Sequence, residues 1–344
     1  DLTNEVTYAI MDAYYNMNLP QPILSVKLHK NTPKEFYENM GKFLFTPGVL
    51  TPSFFNDDSL FEILKSHGVD SEDLPDISIA GCQEPLIMGK DNGNTTNSWL
   101  NLPKILELTI TGGVSLVTGE KLADIKKAPL ENIKVEFFKN TKYFAERMAD
   151  AANGASKAVS HLRVPFLSCF MGGLENGIDV RDTKHQGTKY NGSGCLIHGI
   201  SVAADSIVAI RHMLNERPND KDMLEQALKA DFKGFDDLHG YLCKCPKYGN
   251  FINEADNETA EVANMAADTV ASLKNYLGNS FRPDFSSPST HLLYGYWVGA
   301  TPDGRHSREM LGYGVDPLYG DASNGMGYRV LSSFGLPYEK MNGG

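Results

Sequence analysis

A cysteine and a glutamate stand two positions apart in the segment Gly81-Cys82-Gln83-Glu84-Pro85. A cysteine that acts as a nucleophile needs a neighbouring base or cation to hold its thiolate, and a carboxylate has the opposite effect. The pair instead favours a neutral thiol that exchanges a hydrogen atom with a substrate, beside a carboxylate that accepts a proton from it. These five residues alone leave an ordinary turn with a buried thiol as the alternative.

The other cysteines do not complete a disulfide framework or a metal site. The chain has an odd total of five in 344 residues, namely Cys82, Cys169, Cys195, Cys243 and Cys245. Reduced thiols are therefore expected. The Cys243-Lys244-Cys245 pair lacks the further ligands that zinc needs, so we expect a structural role and no bound metal.

Composition and charge exclude several classes of function. The 32 basic and 43 acidic residues give a net charge of −11, without a basic run that could follow nucleic acid phosphates. No signal-like segment and no apolar stretch of about 18 residues is present, which predicts a cytoplasmic protein without a membrane partner. With 41% hydrophobic residues the chain can bury a large core, and we expect a single domain over residues 1–344.

The elements that position Cys82 alternate between helical and extended patterns, which predicts an α/β fold. A strand is expected at residues 23–28, and Cys82 is expected in a loop ahead of a helix. The predicted helices cover residues 3–17, 33–44, 57–67, 98–111, 131–162, 200–215, 221–231 and 257–276.

Several further segments, in this order, resemble those of the glycyl radical enzymes. They read QPILSVKLH, TPKEFYENM, TPSFFNDDSLFEILKSHGV, GCQEP, NLPKILELTITGGVSLVTGEK, GISVAADSIVAIRHML, CPKYGN and GATPDGR. The resemblance implies a ten-stranded α/β barrel made of two antiparallel five-stranded halves surrounded by helices. This chain would supply mainly the second half, with residues 78–98 as a finger loop in the centre. A homodimer is also implied.

The resemblance assigns roles to the residues of the opening motif. Cys82 matches the residue that becomes a thiyl radical, and Glu84 matches the general base that promotes elimination of water or another leaving group. The Gly-Cys-x-Glu-Pro form is similar to the eliminase branch, which includes glycerol and propanediol dehydratases and choline and sulfonate lyases. Gly81 stands where the pyruvate formate-lyase branch has the first of two adjacent cysteines.

The loop about a dozen residues beyond the cysteine lines the substrate pocket in those eliminases. Here that loop carries Thr95, Thr96, Ser98 and Trp99. They could hydrogen-bond or pack against a polyol, a hydroxy amino acid or an amino alcohol, although capping of the next helix is an equally good explanation. For Arg282 and His291 a structural role is favoured over a place in the pocket.

The radical-bearing motif of the family, Arg-Val-x-Gly-aromatic, is absent, because Arg329-Val330 is not followed by a glycine at the required position. The resemblance therefore implies a fragment that is inactive alone and binds no cofactor. The glycyl radical would reside outside this chain and be installed by a radical S-adenosylmethionine activase. Three alternatives stay open: a glycyl radical decarboxylase or carbon–carbon bond-forming enzyme, a non-catalytic barrel relative, and a cysteine hydrolase.

Overall fold

The computed structural model describes residues 2–81, 83–92, 96–287 and 289–343. The chain divides into two compact units, Asp1–Met88 and Gly89–Gly344. Each unit has its own cluster of buried apolar side chains. The expectation of a single domain stays a prediction.

The first unit pairs short strands with three helices. Its elements are α1 (Glu5–Met17), β1 (Ser25–Leu28), α2 (Lys34–Phe45), β2 (Ser53–Asn56), α3 (Asp57–Ser66), β3 (Ile77–Ala80) and β4 (Glu84–Ile87). β1 and β2 are parallel, whereas β3 and β4 form an antiparallel hairpin. The core of the unit joins Met11 of α1, Val26 of β1, and Phe36, Met40 and Phe43 of α2.

The second unit is a helix-covered parallel sheet with further helices. Its elements are β5 (Asp91–Asn92), β6 (Ser98–Asn101), α4 (Leu102–Thr111), α5 (Ile133–Val159), α6 (Pro165–Phe170), α7 (Gly173–Asn176), β7 (Tyr190–Asn191), β8 (Ser193–His198), α8 (Ile200–Glu216), α9 (Leu224–Lys229), α10 (Asp236–Leu242), α11 (Asn253–Ala271), β9 (Phe281–Asp284), α12 (Thr290–Tyr296) and α13 (Met326–Ser333). Parallel neighbours need long crossovers, which α4, α5, α8 and α11 provide here.

The sheet of the second unit has the order β6-β8-β9, with all neighbours parallel. The register places Trp99 beside Leu196 and Leu196 beside Asp284. β5 and β7 form a separate parallel pair. Every residue of the central strand β8 is buried, so both of its faces are covered.

The predicted helix over residues 98–111 is wrong in its first turn. Residues 98–101 form β6, and the helix begins at Leu102 after Asn101, whose side chain accepts a hydrogen bond from the Lys104 amide. Pairing with β8 satisfies the backbone of 98–101, and this long-range contact outweighs the apparent helical periodicity. The strand over 23–28 and the other predicted helices are observed with shifted ends.

The TPDGR segment is a turn with a structural arginine. Arg305 is 3% exposed and donates to the carbonyl oxygens of Gly299, Gly295 and Met310 at 2.9–3.1 Å, and also to that of Glu309.

Within the described ranges, no helix combines the length and the apolar content that crossing a bilayer requires.

Candidate functional site

The β3–β4 hairpin carries the predicted catalytic glutamate. Ala80 pairs with Glu84, so only residues 81–83 connect the two strands. Gly81 has a φ of +54°, and a Cβ at this position would lie 2.9 Å from Oε2 of Glu84. The backbone conformation therefore favours glycine here, and a larger residue would also displace the Glu84 carboxylate.

Glu84 is held inside the hairpin rather than exposed at its surface. Its side chain is 2% exposed, and Oε2 accepts a hydrogen bond from the Gln83 backbone amide at 3.0 Å. Cys82 lies outside the described residues. The assignment of Cys82 as the thiyl residue stays a prediction.

The two faces of the β6-β8-β9 sheet differ sharply in character. Leu100, Cys195, Ile197 and Phe281 belong to the apolar core that the helices cover. By the register, the opposite face presents Trp99, Asn101, Leu196, His198, Arg282 and Asp284. We call this second set the polar face.

His198 on the polar face is a neutral, hydrogen-bonded side chain. It is 1% exposed, Nε2 lies 2.7 Å from the hydroxyl of Thr290, and its ring packs against Tyr294 at 4.6 Å between centroids. Burial lowers the pKa of His198 to about 4. The imidazole is therefore uncharged near neutral pH and is a weak proton acceptor.

The charges at the start of the polar face compensate one another. Arg282 of β9 donates two hydrogen bonds to Asp91 of β5, at 2.8 and 3.1 Å, although 191 residues separate them. The Asp91 side chain is 1% exposed and that of Arg282 is 16% exposed. At the other end of β9, Asp284 accepts from the backbone amide and hydroxyl of Ser286 at 2.8 and 2.6 Å.

The predicted substrate residues differ in their surroundings. Thr95 lies outside the described residues, and Thr96 is exposed. Ser98 is 4% exposed on the helix-covered side, where its hydroxyl donates to the Gly194 carbonyl at 3.0 Å. Trp99 is 40% exposed on the polar face. Thr96 and Trp99 are therefore accessible to a ligand, whereas Ser98 is not.

His198, Asp91 and Asp284 were not among the candidate site residues predicted from the sequence. No local pattern marks them, because strand register and pairing over long sequence distances bring them together. The favoured structural role of Arg282 agrees with its ion pair to Asp91. His291 bonds through Nδ1 to the Ser287 carbonyl at 3.1 Å.

Among the described residues, one group of acids has donor atoms close enough to share a cation. Asp70, Glu72 and Asp73 place their oxygens within 4.8 Å of one another. Asp70 and Glu72 are exposed, as hydrated surface acids commonly are.

The Cys243 sulfur lies 3.4 Å from Nε2 of His239, and burial raises the pKa of the Cys243 thiol.

Comparisons with known proteins match most or all of the chain. A family model described as pyruvate formate lyase-like matches residues 1–295. Trans-4-hydroxy-L-proline dehydratase of Clostridioides difficile is 27% identical over 353 residues, which cover 100% of this chain and 44% of that enzyme.

Solved structures agree in fold. A glycyl radical enzyme from Archaeoglobus fulgidus matches with a TM-score of 0.92 and 28% identity, over 100% of this chain and 44% of its own. The glycerol-bound B12-independent glycerol dehydratase from Clostridium butyricum matches with a TM-score of 0.90 and 29% identity, over 99% and 44%. The predicted α/β fold is confirmed, and the chain spans less than half the length of these relatives.

Proposed function

Because the chain belongs to the pyruvate formate lyase-like family, we propose that it is the catalytic core of a glycyl radical lyase that eliminates water or another leaving group. Relatives that it resembles over its whole length include dehydratases for trans-4-hydroxy-L-proline and glycerol. Since the chain spans only 44% of either relative, the activity is proposed for the protein of which this chain forms part.

The observation that carries the proposal is the hairpin at residues 80–84. It holds a buried carboxylate two residues after Cys82, and Gly81, the residue before Cys82, has a positive φ. The Gln83 backbone amide donates a hydrogen bond to Oε2 of Glu84 at 3.0 Å and so fixes the position of this oxygen. Such fixed geometry is what a general base needs, because proton transfer requires a close and constant donor–acceptor distance.

In the proposed reaction the thiyl form of Cys82 takes a hydrogen atom from the substrate carbon that carries a hydroxyl, which restores the S–H bond. Glu84 then takes the hydroxyl proton. The carbon–oxygen or carbon–nitrogen bond at the neighbouring carbon breaks, and the leaving group departs with its electron pair. The product radical finally recovers a hydrogen atom from Cys82. A proton acceptor at Glu84 favours the elimination step, because the anionic radical expels a leaving group more readily than the neutral one.

Other described side chains with basic groups suit this role less well. His198 has a pKa of about 4 and is bonded to Thr290. The Asp91 carboxylate is closed by two hydrogen bonds from Arg282. A general base works best with a pKa near the working pH, which argues against His198, whereas the two bonds from Arg282 already occupy the Asp91 carboxylate.

We propose a small hydroxylated substrate, such as a polyol, a hydroxy amino acid or an amino alcohol. The loop with Thr95, Thr96, Ser98 and Trp99 is proposed to contribute to its pocket. Trp99 could cover an apolar part or a cationic group of the substrate with its exposed ring.

A glycyl radical outside this chain, installed by a radical S-adenosylmethionine activase, would supply the initial unpaired electron. Arg329 and Val330 lie inside helix α13, and Arg329 is bonded to Asp316 at 3.0 Å. This helical, ion-paired setting does not fit a loop that bears a radical glycine, and agrees with the absence of the motif from the sequence. A cytoplasmic, homodimeric protein belongs to the same proposal.

The test uses the activated protein that contains this chain, incubated without oxygen in D2O with candidate diols, hydroxyproline and amino alcohols. We expect an elimination product with the native protein. Glu84→Gln should lower turnover by about 10²–10⁴-fold, the usual contribution of a general base. It should still exchange deuterium into recovered substrate, because hydrogen abstraction by Cys82 does not require the base.

Cys82→Ser should abolish both product and exchange. Cys169→Ser and Glu62→Gln are matched controls, because Cys169 is an exposed free thiol and Glu62 an exposed surface carboxylate. Full turnover in Glu84→Gln would exclude the glutamate as the base. Turnover in Cys82→Ser would exclude the thiyl mechanism, and carbon dioxide or a carbon–carbon adduct as the product would exclude elimination.

A further inference from the structure

The second unit contains a polar cavity of about 210 Å³ between the end of α5, the starts of β6 and β8, and residues 180–192. Ser156 and Ser160 of α5 line it, together with Ser193. Ser193 shares its sheet face with Cys195, which belongs to the helix-covered core. The cavity therefore lies on the side of the sheet opposite to the polar face.

The cavity has a buried hydrogen-bond donor without an acceptor. Asn97 uses its carbonyl oxygen to accept from the Ser156 hydroxyl at 2.9 Å. Its amide nitrogen is buried without a partner. Leaving a buried N–H without an acceptor costs free energy, so this group calls for an acceptor within the cavity.

The orientation of a second side-chain amide on the cavity wall, that of Asn275, is also fixed by hydrogen bonds. The Asn275 side-chain oxygen accepts from the backbone amides of Leu277 and Asn279 at 3.1 and 3.0 Å, which sets the orientation of the Asn275 amide. Its nitrogen consequently donates to the side-chain oxygen of Asn191 at 3.1 Å. The oxygen of Asn191 is thereby occupied, while its nitrogen stays available as a donor.

A positive charge is also present on the cavity wall. Arg181 lines the cavity, and no Asp or Glu is among its described lining residues. The adjacent acid, Asp182, accepts from the backbone amides of Lys184 and His185 at 2.8 Å each, and Asp179 accepts from those of Val164 and Arg181 at 2.9 Å each. No described carboxylate lies within ion-pair distance of the Arg181 guanidinium. Arg181 differs in this respect from Arg282, whose charge is neutralised by Asp91.

We propose that this cavity binds a small organic carboxylate. The planar guanidinium of Arg181 matches a carboxylate in a bidentate geometry, and the Asn97 and Asn191 amides can donate to its remaining oxygens or to a hydroxyl. The volume equals that of about seven water molecules, which suits an acid of about three to five carbons. A neutral polyol would leave the arginine without a counter-charge.

Calorimetric titration of the purified protein that contains this chain with glycerate, malate, inorganic phosphate and glycerol tests this assignment. We expect glycerate or malate to bind, with an affinity that falls as salt increases. Glycerol and phosphate should bind at least 10-fold more weakly. Arg181→Gln should weaken carboxylate binding by about 10-fold to 100-fold, the usual loss for a hydrogen bond to a charged group.

Arg163→Gln is the matched control, because Arg163 is an exposed arginine that does not line the cavity. Asn97→Asp is a second variant that keeps the acceptor for Ser156 and replaces the orphan donor by a negative charge, so it should also lose binding. Intrinsic tryptophan fluorescence confirms that each variant is folded. Equal affinity for glycerol, tighter binding of phosphate, or unchanged binding in a folded Arg181→Gln or Asn97→Asp protein would overturn the proposal.

Discussion

Asp321 belongs to a buried group of three acids and one base. Lys247 donates to the carbonyl oxygens of Leu242 and Asp303 at 3.1 and 2.6 Å. The carboxylates of Asp205, Asp303 and Asp321 each have one buried oxygen without a partner. Burial, reinforced by Asp303 and opposed by Lys247, raises the pKa of Asp321 to about 7. Asp321→Asn is therefore expected to stabilise the protein at alkaline pH.

The magnitude follows from the difference between the ordinary pKa of 3.8 and the folded value of about 7. This difference corresponds to at most about 4 kcal/mol, since one unit equals about 1.36 kcal/mol. Above pH 4 the folded protein retains a proton that the unfolded chain has lost, so wild-type stability falls as the pH rises through 7. Because Asp321 is partly exposed, solvent screening should reduce the gain from asparagine to about 2 kcal/mol at pH 8, and to less than half of that at pH 5.

Urea denaturation at pH 5 and pH 8 measures this effect. Trp99 and Trp297 are the two tryptophans of the chain, and both lie in the same unit as Asp321, so fluorescence reports on that unit. Asp150→Asn, a change at an exposed acid of α5, is the control and should leave stability unchanged at both pH values. An equal gain at pH 5 and pH 8, or a loss at pH 8, would refute the reasoning.

Two further predictions concern stability. Asp91→Ala should cost about 3–5 kcal/mol, because it leaves the buried guanidinium of Arg282 without its partner; a loss below about 1 kcal/mol in urea denaturation would contradict the assigned role of the pair. Gly119→Ala should cost about 1–2 kcal/mol, because its φ is +74° in open space. Gly113→Ala should cost more, since its φ is +90° and the new Cβ would lie 2.0 Å from the Ala123 carbonyl oxygen; equal losses would show that this contact can relax.

Local sequence signals predicted most of the helices, because capping residues and apolar periodicity act over a few positions. The failure at residues 98–101 has the opposite cause. Asn101 and Pro103 are good helix-start residues, yet the positions before them pair with β8 about a hundred residues later. A single sequence contains no record of that pairing, so the strand could not be separated from the first turn of the helix.

In the candidate site, too, some features follow from local sequence and others from contacts between distant segments. Cys82 and Glu84 lie two positions apart in the chain, so their spacing favoured hydrogen-atom exchange beside a base, and the family resemblance then implied their roles. The ion pair of Asp91 and Arg282 forms only because β5 and β9 come together in the fold. The sequence around either residue therefore could not predict it. Strand parity also separates Ser98 from Trp99, which the sequence had grouped as one pocket loop.

The segments that identify the family do not all carry its chemistry. Arg305 in TPDGR is buried and satisfies carbonyl oxygens around the end of α12, while a Cβ at Gly304 would lie 2.5 Å from the Cys243 sulfur. Such residues are constrained by packing and hydrogen bonding whatever reaction the protein performs. An ordered set of these segments is therefore strong evidence for the fold, whereas the proposed reaction depends on the short hairpin that holds Glu84 beside Cys82 in the chain.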